Sequence, residues 1–439
     1  MNQNDLNLPL IQLTPDPYPS YWTTGNAVEG TGILGGIGSG KTSGSGRFIA
    51  LKFLAVGFGG LVLTVKPDEK QFWIDHCTKM RRLHDLIIVE PGGKHFFNFL
   101  AYVSRHATGG MTENLVELLK TIMQASDEKS GGASPDRFWD EANYMLLTNV
   151  IDLCKLAYGF VDLQTIYDIL QSLPKEGEKP SENSAFSIAF RLAQAKVLAL
   201  AAAWEKSLSD LERVRLGQGP DYERAACEAV PDVRLLKFVD QFFQETFFKL
   251  SEKTRSIVDM SILAFLFRLL RDPVYSLFCS QKSTFVPEDC IGGKIILLNI
   301  PVKLYHKIGR DCQIMFKYIW QQAMEKREIT EFSPAVFLWA DEAQNFLHEH
   351  DTDFQATARS SRIATVYISQ NLPNYLASMG GSRAEQKVKA FLGTLGTKIF
   401  HANADIDTNR YASDLIGDGF FVDRSETATA AGQFSASTT

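Results

Sequence analysis

The stretch GGIGSGKTSG at 35–44 constrains the fold more than any other part of the chain. Gly35, Gly36, Ile37, Gly38, Ser39, Gly40, Lys41, Thr42 and Ser43 carry the spacing G-x-x-x-x-G-K-[ST] of a phosphate loop. Successive backbone N–H groups of such a loop wrap a di- or triphosphate, and glycine lets the backbone approach without a Cβ. The following helix presents its positive N-terminal end to the same anion. On this reading Lys41 reaches the β and γ phosphates, and Thr42 offers its hydroxyl to Mg²⁺. The spacing arises by chance in roughly one chain of this length in a hundred. Its position adds weight, between the apolar Gly32-Ile33-Leu34 and a helix-compatible run over 47–56.

Apolar runs at 60–68, 86–93, 294–301, 335–343, 364–371 and 397–403 read as strands, several of them closed by proline or glycine. Continuous runs of this length belong to strands covered on both faces. Helix-like segments lie between most of them, which predicts a doubly wound α/β core. Between 105 and 289 strand runs vanish and amphipathic helical spacing takes over. The run 137–157, for example, puts Phe138, Ala142, Met145, Leu146 and Leu153 near one face. The expected organisation is an N-terminal arm (1–30), an α/β domain in two pieces (31–104 and 290–420), an inserted all-α domain (105–289) and a disordered tail (421–439).

The formal net charge of −6 argues against a wholly basic nucleic-acid binder, although a local basic channel is invisible in that sum. Six scattered cysteines with no C-x-x-C pair read as reduced, mostly buried thiols of a cytoplasmic protein. The N-terminus lacks a basic segment and a long apolar core, so no signal peptide is expected. The run 48–65 mimics a membrane span in length, but Lys52 and the Gly57, Gly59, Gly60 break favour a helix, a turn and a buried strand.

Two further anchors carry chemistry. The strand within 335–343 ends in Asp341-Glu342. In phosphate-loop NTPases a strand-terminal Asp holds Mg²⁺ opposite the loop Thr, and an adjacent Glu polarises the attacking water. The strand from 364 ends in Gln370, where an amide either senses the γ phosphate or merely caps the strand. Upstream, Arg359 and Arg362 share one helical face if a helix runs that far. They are either a solvated basic pair or arginine fingers entering a neighbouring subunit's site.

Together these blocks resemble the HerA/FtsK class of ring ATPases, and most closely the coupling proteins of conjugation and type IV secretion, of TraG/TraD type. The carriers are the loop at 35–42, the strand ending WADEAQNF (339–346), and an Arg ahead of a strand-terminal Gln (Arg359, Gln370). Flanking text agrees in order, from LTVKPDEKQFW through RFWDEANYMLLTNVIDL to GTKIFHANADIDTNRYASDLIG. Val65 stands where many relatives have Asp, and the N-terminal transmembrane helices of anchored members are not visible.

The resemblance implies a RecA-like motor with an all-α insertion, ATP and Mg²⁺ as cofactors, and a homohexameric ring. Lys41 and Thr42 match the loop pair, Asp341 the Mg²⁺ ligand, Glu342 the catalytic base, Gln370 the sensor and Arg359 the trans arginine, with Arg362 in reserve. It implies ATP-driven translocation or delivery of DNA, single- or double-stranded and without strong sequence preference, or of relaxase–DNA and other secretion substrates. Localisation would be cytoplasmic or peripheral at the inner membrane. Two alternatives stay open: a coupling ATPase acting mainly on protein partners, and a nucleotide-dependent switch that turns over poorly.

Overall fold

The computed structural model describes residues 5–106, 111–127, 137–174, 181–217, 219–280, 282–348, 350–379 and 384–419, with the backbone of 428–430 and 436–438. The chain opens with an antiparallel pair, β1 (Pro9–Gln12) and β2 (Tyr21–Thr23). Trp22 closes this arm onto the sheet, its indole N–H donating to Thr397 Oγ1 at 2.9 Å.

The sheet has seven parallel strands: β3 (Thr31–Leu34), β4 (Gly59–Leu63), β5 (Leu86–Val89), β6 (Ile295–Leu298), β7 (Val336–Ala340), β8 (Ile363–Ser369) and β9 (Thr397–Phe400). Their spatial order is β5-β6-β4-β7-β8-β3-β9. The five inner strands are buried at every residue, which is why they read as unbroken apolar runs. The outer strands β5 and β9 are only partly covered. This is the expected α/β phosphate-loop motor fold. The strand missed in the sequence is β3, whose four residues include a Thr and a Gly.

Side chains alternate strictly between the two faces. Val62, Ile295, Leu297, Phe337, Trp339, Val366 and Ile368 meet the helices Arg47–Ala55 and Glu69–Lys79 through Phe53 and Trp73. Leu61, Leu63, Ile296, Leu298, Val336 and Leu338 face the other way, toward the long helix Val302–Glu325. That second core runs on without a break into the helices between β5 and β6, through Leu115, Leu119 and Ile151.

Among the described residues no strand lies between β5 and β6. The helical segment begins at Phe99–His106 and ends with the turn Tyr275–Ser280, so it starts a few residues before and stops a few residues before the expected 105–289. In helix Arg137–Tyr158, Leu146 and Leu153 are buried as expected, but Met145 faces solvent, and the side chain of Phe138 lies outside the described residues. Of the tail, 428–430 and 436–438 pair antiparallel, and the rest lies outside the described residues.

The span-like run 48–65 divides into most of helix Arg47–Ala55, a turn with Gly57 at φ 85°, and buried β4. One described helix, Ala185–Ser207, is long and apolar enough to cross a membrane, with 22% of its most apolar stretch buried.

Candidate nucleotide site

All seven strands point the same way, so their C-terminal ends form one edge, where ligands of open α/β sheets bind. The phosphate loop leaves β3 at that edge and is tied to its neighbours. Gly35 N–H donates to Ser369 O at 3.3 Å, and Gly36 N–H to Ala402 O at 2.9 Å. Gly38 and Gly40 adopt φ of 73° and 86°, and a Cβ at either position would point into open space. Such left-handed steps favour glycine and turn successive N–H groups inward. The chain then enters a wide turn, Lys41–Gly46, and the helix Arg47–Ala55. Lys41 is buried at the base of the loop, Ile37 stands exposed at its lip, and Ser39 Oγ is buried with no hydrogen-bond partner.

Parallel register carries the second anchor to the first. Leu34 pairs with Ser369, and Ala340 pairs with both Tyr367 and Leu63. The residue after Ala340 therefore emerges near the loop. Thr42 donates its hydroxyl to Asp341 Oδ2 at 2.8 Å. Burial pushes the Asp341 carboxyl up, against the Thr42 hydrogen bond and the Lys66 charge, which hold it down. A buried carboxylate and a hydroxyl converging beside a glycine cradle form an all-oxygen donor set suited to a hard divalent cation. The residues fit Mg²⁺ and a phosphate chain.

Glu342 takes a left-handed backbone, φ 49° and ψ 49°. A non-glycine residue held there costs of order 1–3 kcal/mol and persists only where its surroundings impose it. Here Asp341 Oδ1 accepts the Glu342 N–H at 2.8 Å, and the Asn345 side chain donates to Glu342 O at 2.9 Å. The carboxylate accepts from Gln344 Nε2 at 2.9 Å and from Gln370 Nε2 at 3.2 and 3.3 Å. Lys66 Nζ lies 3.6 Å from its Oε1. Burial raises the Glu342 carboxyl, but the two amides, then Lys66 and Lys41, outweigh it and leave it below the usual range. Gln370 is thus bound to Glu342 rather than left as a strand-end amide in solvent.

These groups line a cavity of about 990 Å³ together with the phosphate loop. Gly35 and Gly36 anchor the loop behind it, while Ile37 through Ser43, Glu342 and Gln370 form its wall.

Arg359 and Arg362 lie elsewhere. The helix His350–Ala358 ends before both, so they do not share a helical face. They precede β8, whose seven residues separate them from Gln370 by roughly 20 Å. Arg359 is 70% exposed and pairs with Glu29 at 3.4 Å. Arg362 donates from Nη1 to the carbonyls of Ser333 at 2.6 Å and Glu331 at 3.2 Å, bracing the approach to β7. Neither meets the site of its own chain.

Three functional neighbours escaped the sequence. Lys66 and Gln344 bind Glu342, and His401 touches the loop, its Nε2 meeting Ser45 Oγ and its Nδ1 lying 3.0 Å from Ser39 O. Each sits one to four residues beyond a strand end, and that position was their only signal.

Residues 335–439 match the family model of the TraM recognition site of TraD and TraG. Among solved structures, the plasmid coupling protein TrwB in complex with the non-hydrolysable GTP analogue GDPNP aligns with a TM-score of 0.54 at 13% identity, covering 92% of this chain and 78% of that one. The unbound monoclinic form of the bacterial conjugative coupling protein TrwBdeltaN70 gives 0.52 at 12%, covering 87% and 70%. TrwB in complex with ADP and Mg²⁺ gives 0.50 at 12%, covering 88% and 72%. At these identities the likeness is one of fold. No curated protein matches the chain. The resemblance to TraG/TraD-type coupling ATPases therefore holds in the family match at the C-terminal side and in the fold of the chain.

Proposed function

We propose that this chain is the ATP-hydrolysing motor of a coupling protein of conjugation or type IV secretion, translocating or delivering DNA, or a nucleoprotein, through a homohexameric ring. The observation that carries the reading is the convergence of Thr42 on Asp341, with the Glu342 carboxylate poised beside them at the mouth of the phosphate loop. TrwB, whose fold it shares, has been seen with ADP and Mg²⁺.

In this reading the loop N–H groups and Lys41 bind the phosphates, while Thr42 and Asp341 hold Mg²⁺. When bound, Mg²⁺ offsets the charge on the phosphate oxygens. Glu342 takes a proton from the attacking water, whose oxygen bonds to the γ-phosphorus. The bond from that phosphorus to the bridging oxygen breaks, and ADP leaves with the electron pair. Gln370 and Gln344 hold the carboxylate for that task. Arg359, exposed and far from its own cavity, is suited to reach a neighbour's site. The protein works in the cytoplasm or at the inner-membrane surface, recruited by membrane partners. DNA is gripped by its backbone, so binding weakens with salt.

The deciding experiment is the ATPase rate with and without single- and double-stranded DNA, run beside particle size with ATP. DNA stimulation of an assembled ring is the expected result. A second reading, a coupling ATPase acting mainly on protein partners, is favoured by the match of 335–439 to a TraM recognition site. Turnover raised by a protein substrate and unmoved by DNA would select it. Slow turnover indifferent to both would leave a nucleotide-dependent switch.

A further inference from the structure

Lys66 follows the end of β4, and Glu342 follows the end of β7. Leu63 and Ala340 are register partners, so the sheet itself sets the two side chains beside each other. The backbone under Lys66 is pinned. Glu69 Oε2 accepts the Val65 N–H at 3.0 Å, and Glu69 Oε1 accepts the Lys66 N–H at 3.2 Å. The side chain above that anchor is looser. Its Nζ lies 3.6 Å from Glu342 Oε1, beyond the 2.7–2.9 Å of a charge-assisted hydrogen bond. The Lys66 side chain is 34% exposed where that of Glu342 is 8% exposed. Glu342 already has amide donors from Gln344 and Gln370, so its geometry does not depend on Lys66.

Lys66 also lines the cavity that Lys41 and Thr42 line. A lysine ammonium is a compact charge on a flexible stem. A terminal phosphate entering the cavity carries more charge than one carboxylate. We propose that Lys66 is a second cation of this site, which exchanges the Glu342 carboxylate for the terminal phosphate of a bound nucleoside triphosphate. This rests on the nucleotide reading of the cavity and adds to it. The exchange places positive charge where charge spreads over the γ-phosphoryl oxygens. It also frees one Glu342 oxygen to face the attacking water. The device ties release of the base to the presence of a third phosphate, so ADP leaves Lys66 on Glu342.

The test compares triphosphate with diphosphate affinity on the full chain, using a fluorescent non-hydrolysable ATP analogue and a fluorescent ADP, each with Mg²⁺. Lys66→Met should weaken the triphosphate analogue about tenfold, the size expected for one lost charge-assisted contact, and leave ADP within about twofold. Lys66→Arg should restore most of the difference. Lys66→Gln, which keeps a polar side chain, serves if the Met variant does not fold, and the same selective loss is expected. A triphosphate-to-diphosphate affinity ratio unchanged in the Met or Gln variant would overturn the proposal while leaving the nucleotide reading intact. Failure of the wild-type chain to bind either nucleotide would remove both.

Discussion

Thr42 and Asp341, 299 residues apart in the chain, meet at 2.8 Å through a hydroxyl-to-carboxylate hydrogen bond. The contact requires β3, β8 and β7 to lie side by side, because only their shared register brings the end of the loop to the end of β7. A point contact of two oxygens thereby reports the topology of the sheet. In the proposed reading these two oxygens would hold Mg²⁺, the Thr42 hydroxyl keeping its proton. Hydrolysis should therefore need a divalent cation and stop on chelation. Asp341→Asn should raise the Mg²⁺ concentration needed for activity while nucleotide alone still binds, and a titration of activity against Mg²⁺ checks this.

Lys41→Ala should lose nucleotide affinity, because the ammonium answers phosphate charge that would otherwise fall to the loop's backbone dipoles and, at the terminal phosphate, to Lys66 alone. Glu342→Gln should still bind Mg-ATP, since the phosphate loop, Lys41 and Thr42 are untouched and the remaining amide oxygen can still accept from Gln344 or Gln370. Its turnover should fall by about 10²–10⁴-fold, the range for a lost general base. Wild-type hydrolysis by this variant would put the base elsewhere. Nucleotide titration and steady-state phosphate release separate the two effects.

Much of the fold was legible because a parallel strand covered on both faces cannot hide its composition. β4, β6, β7 and β8 announce themselves as apolar runs, and β4, β7 and β8 end beside the cavity. β3 did not, because a strand of four residues with a Thr and a Gly has no pattern of its own; the loop after it was the only clue. In the site, the loop residues, Asp341 and Glu342 follow local rules of spacing and strand end. Lys66, Gln344 and His401 lie past strand ends too, but carry no spacing that singles them out. The partners of Lys66 and His401 come from adjacent strand ends, and adjacency in a sheet whose order is not chain order is invisible along the sequence. Arg359 and Arg362 looked equivalent three residues apart. The helix end at Ala358 and the left-handed step at Arg362, φ 51°, send them to different tasks.

The buried ion pair between Lys317 and Asp351 is a point of stability. Lys317 Nζ reaches both oxygens of Asp351 at 2.7 and 2.6 Å, with neither side chain exposed. Gln321 and the His348 N–H also donate to that carboxylate at 2.9 Å. Asp351→Asn leaves a buried ammonium without its counter-charge, and breaking such a pair costs about 3–5 kcal/mol. The midpoint of urea unfolding should fall accordingly with the slope unchanged.

His348 makes stability depend on pH. Burial is the main cause that drives its imidazole down to about 3, with Lys317 and His350 acting the same way and Asp351 opposing them. Its Nδ1 accepts the His350 N–H at 3.2 Å, so the neutral ring carries its proton on Nε2. The unfolded ring protonates near pH 6.5. Between that value and about 3 the unfolded chain holds one more proton than the folded chain, so stability rises with pH and is lost as pH falls through this window. Asp351, held down to about 2, adds stability above its unfolded value and loses it as pH drops toward 2. The His348 slope is ~1.4 kcal/mol per pH unit for the extra proton. His348→Asn keeps an acceptor for the His350 N–H and should flatten the curve between pH 6 and 4, measured by urea unfolding at each pH.

Arg359 carries the prediction on assembly. Lys41 and Lys66 are the basic residues set beside the Glu342 carboxylate in its own chain, while Arg359 stands beyond the far end of β8, exposed and paired only loosely with Glu29. If it completes a neighbour's site, Arg359→Ala should leave ATP binding intact and lower turnover by about 10³–10⁵-fold, the range for an arginine finger. Arg362→Ala should act differently, destabilising the loop at 331–333 whose carbonyls it binds. Mixing supplies the decisive measurement. Arg359→Ala subunits and Lys41→Ala subunits are each expected to be inactive alone. In a mixed ring some interfaces pair an intact loop on one subunit with an intact arginine on the next. ATPase activity recovered on mixing would put the arginine in trans and require the oligomer. Mixtures shown by sizing to co-assemble, yet still inactive, would return Arg359 to the surface as a solvated partner of Glu29.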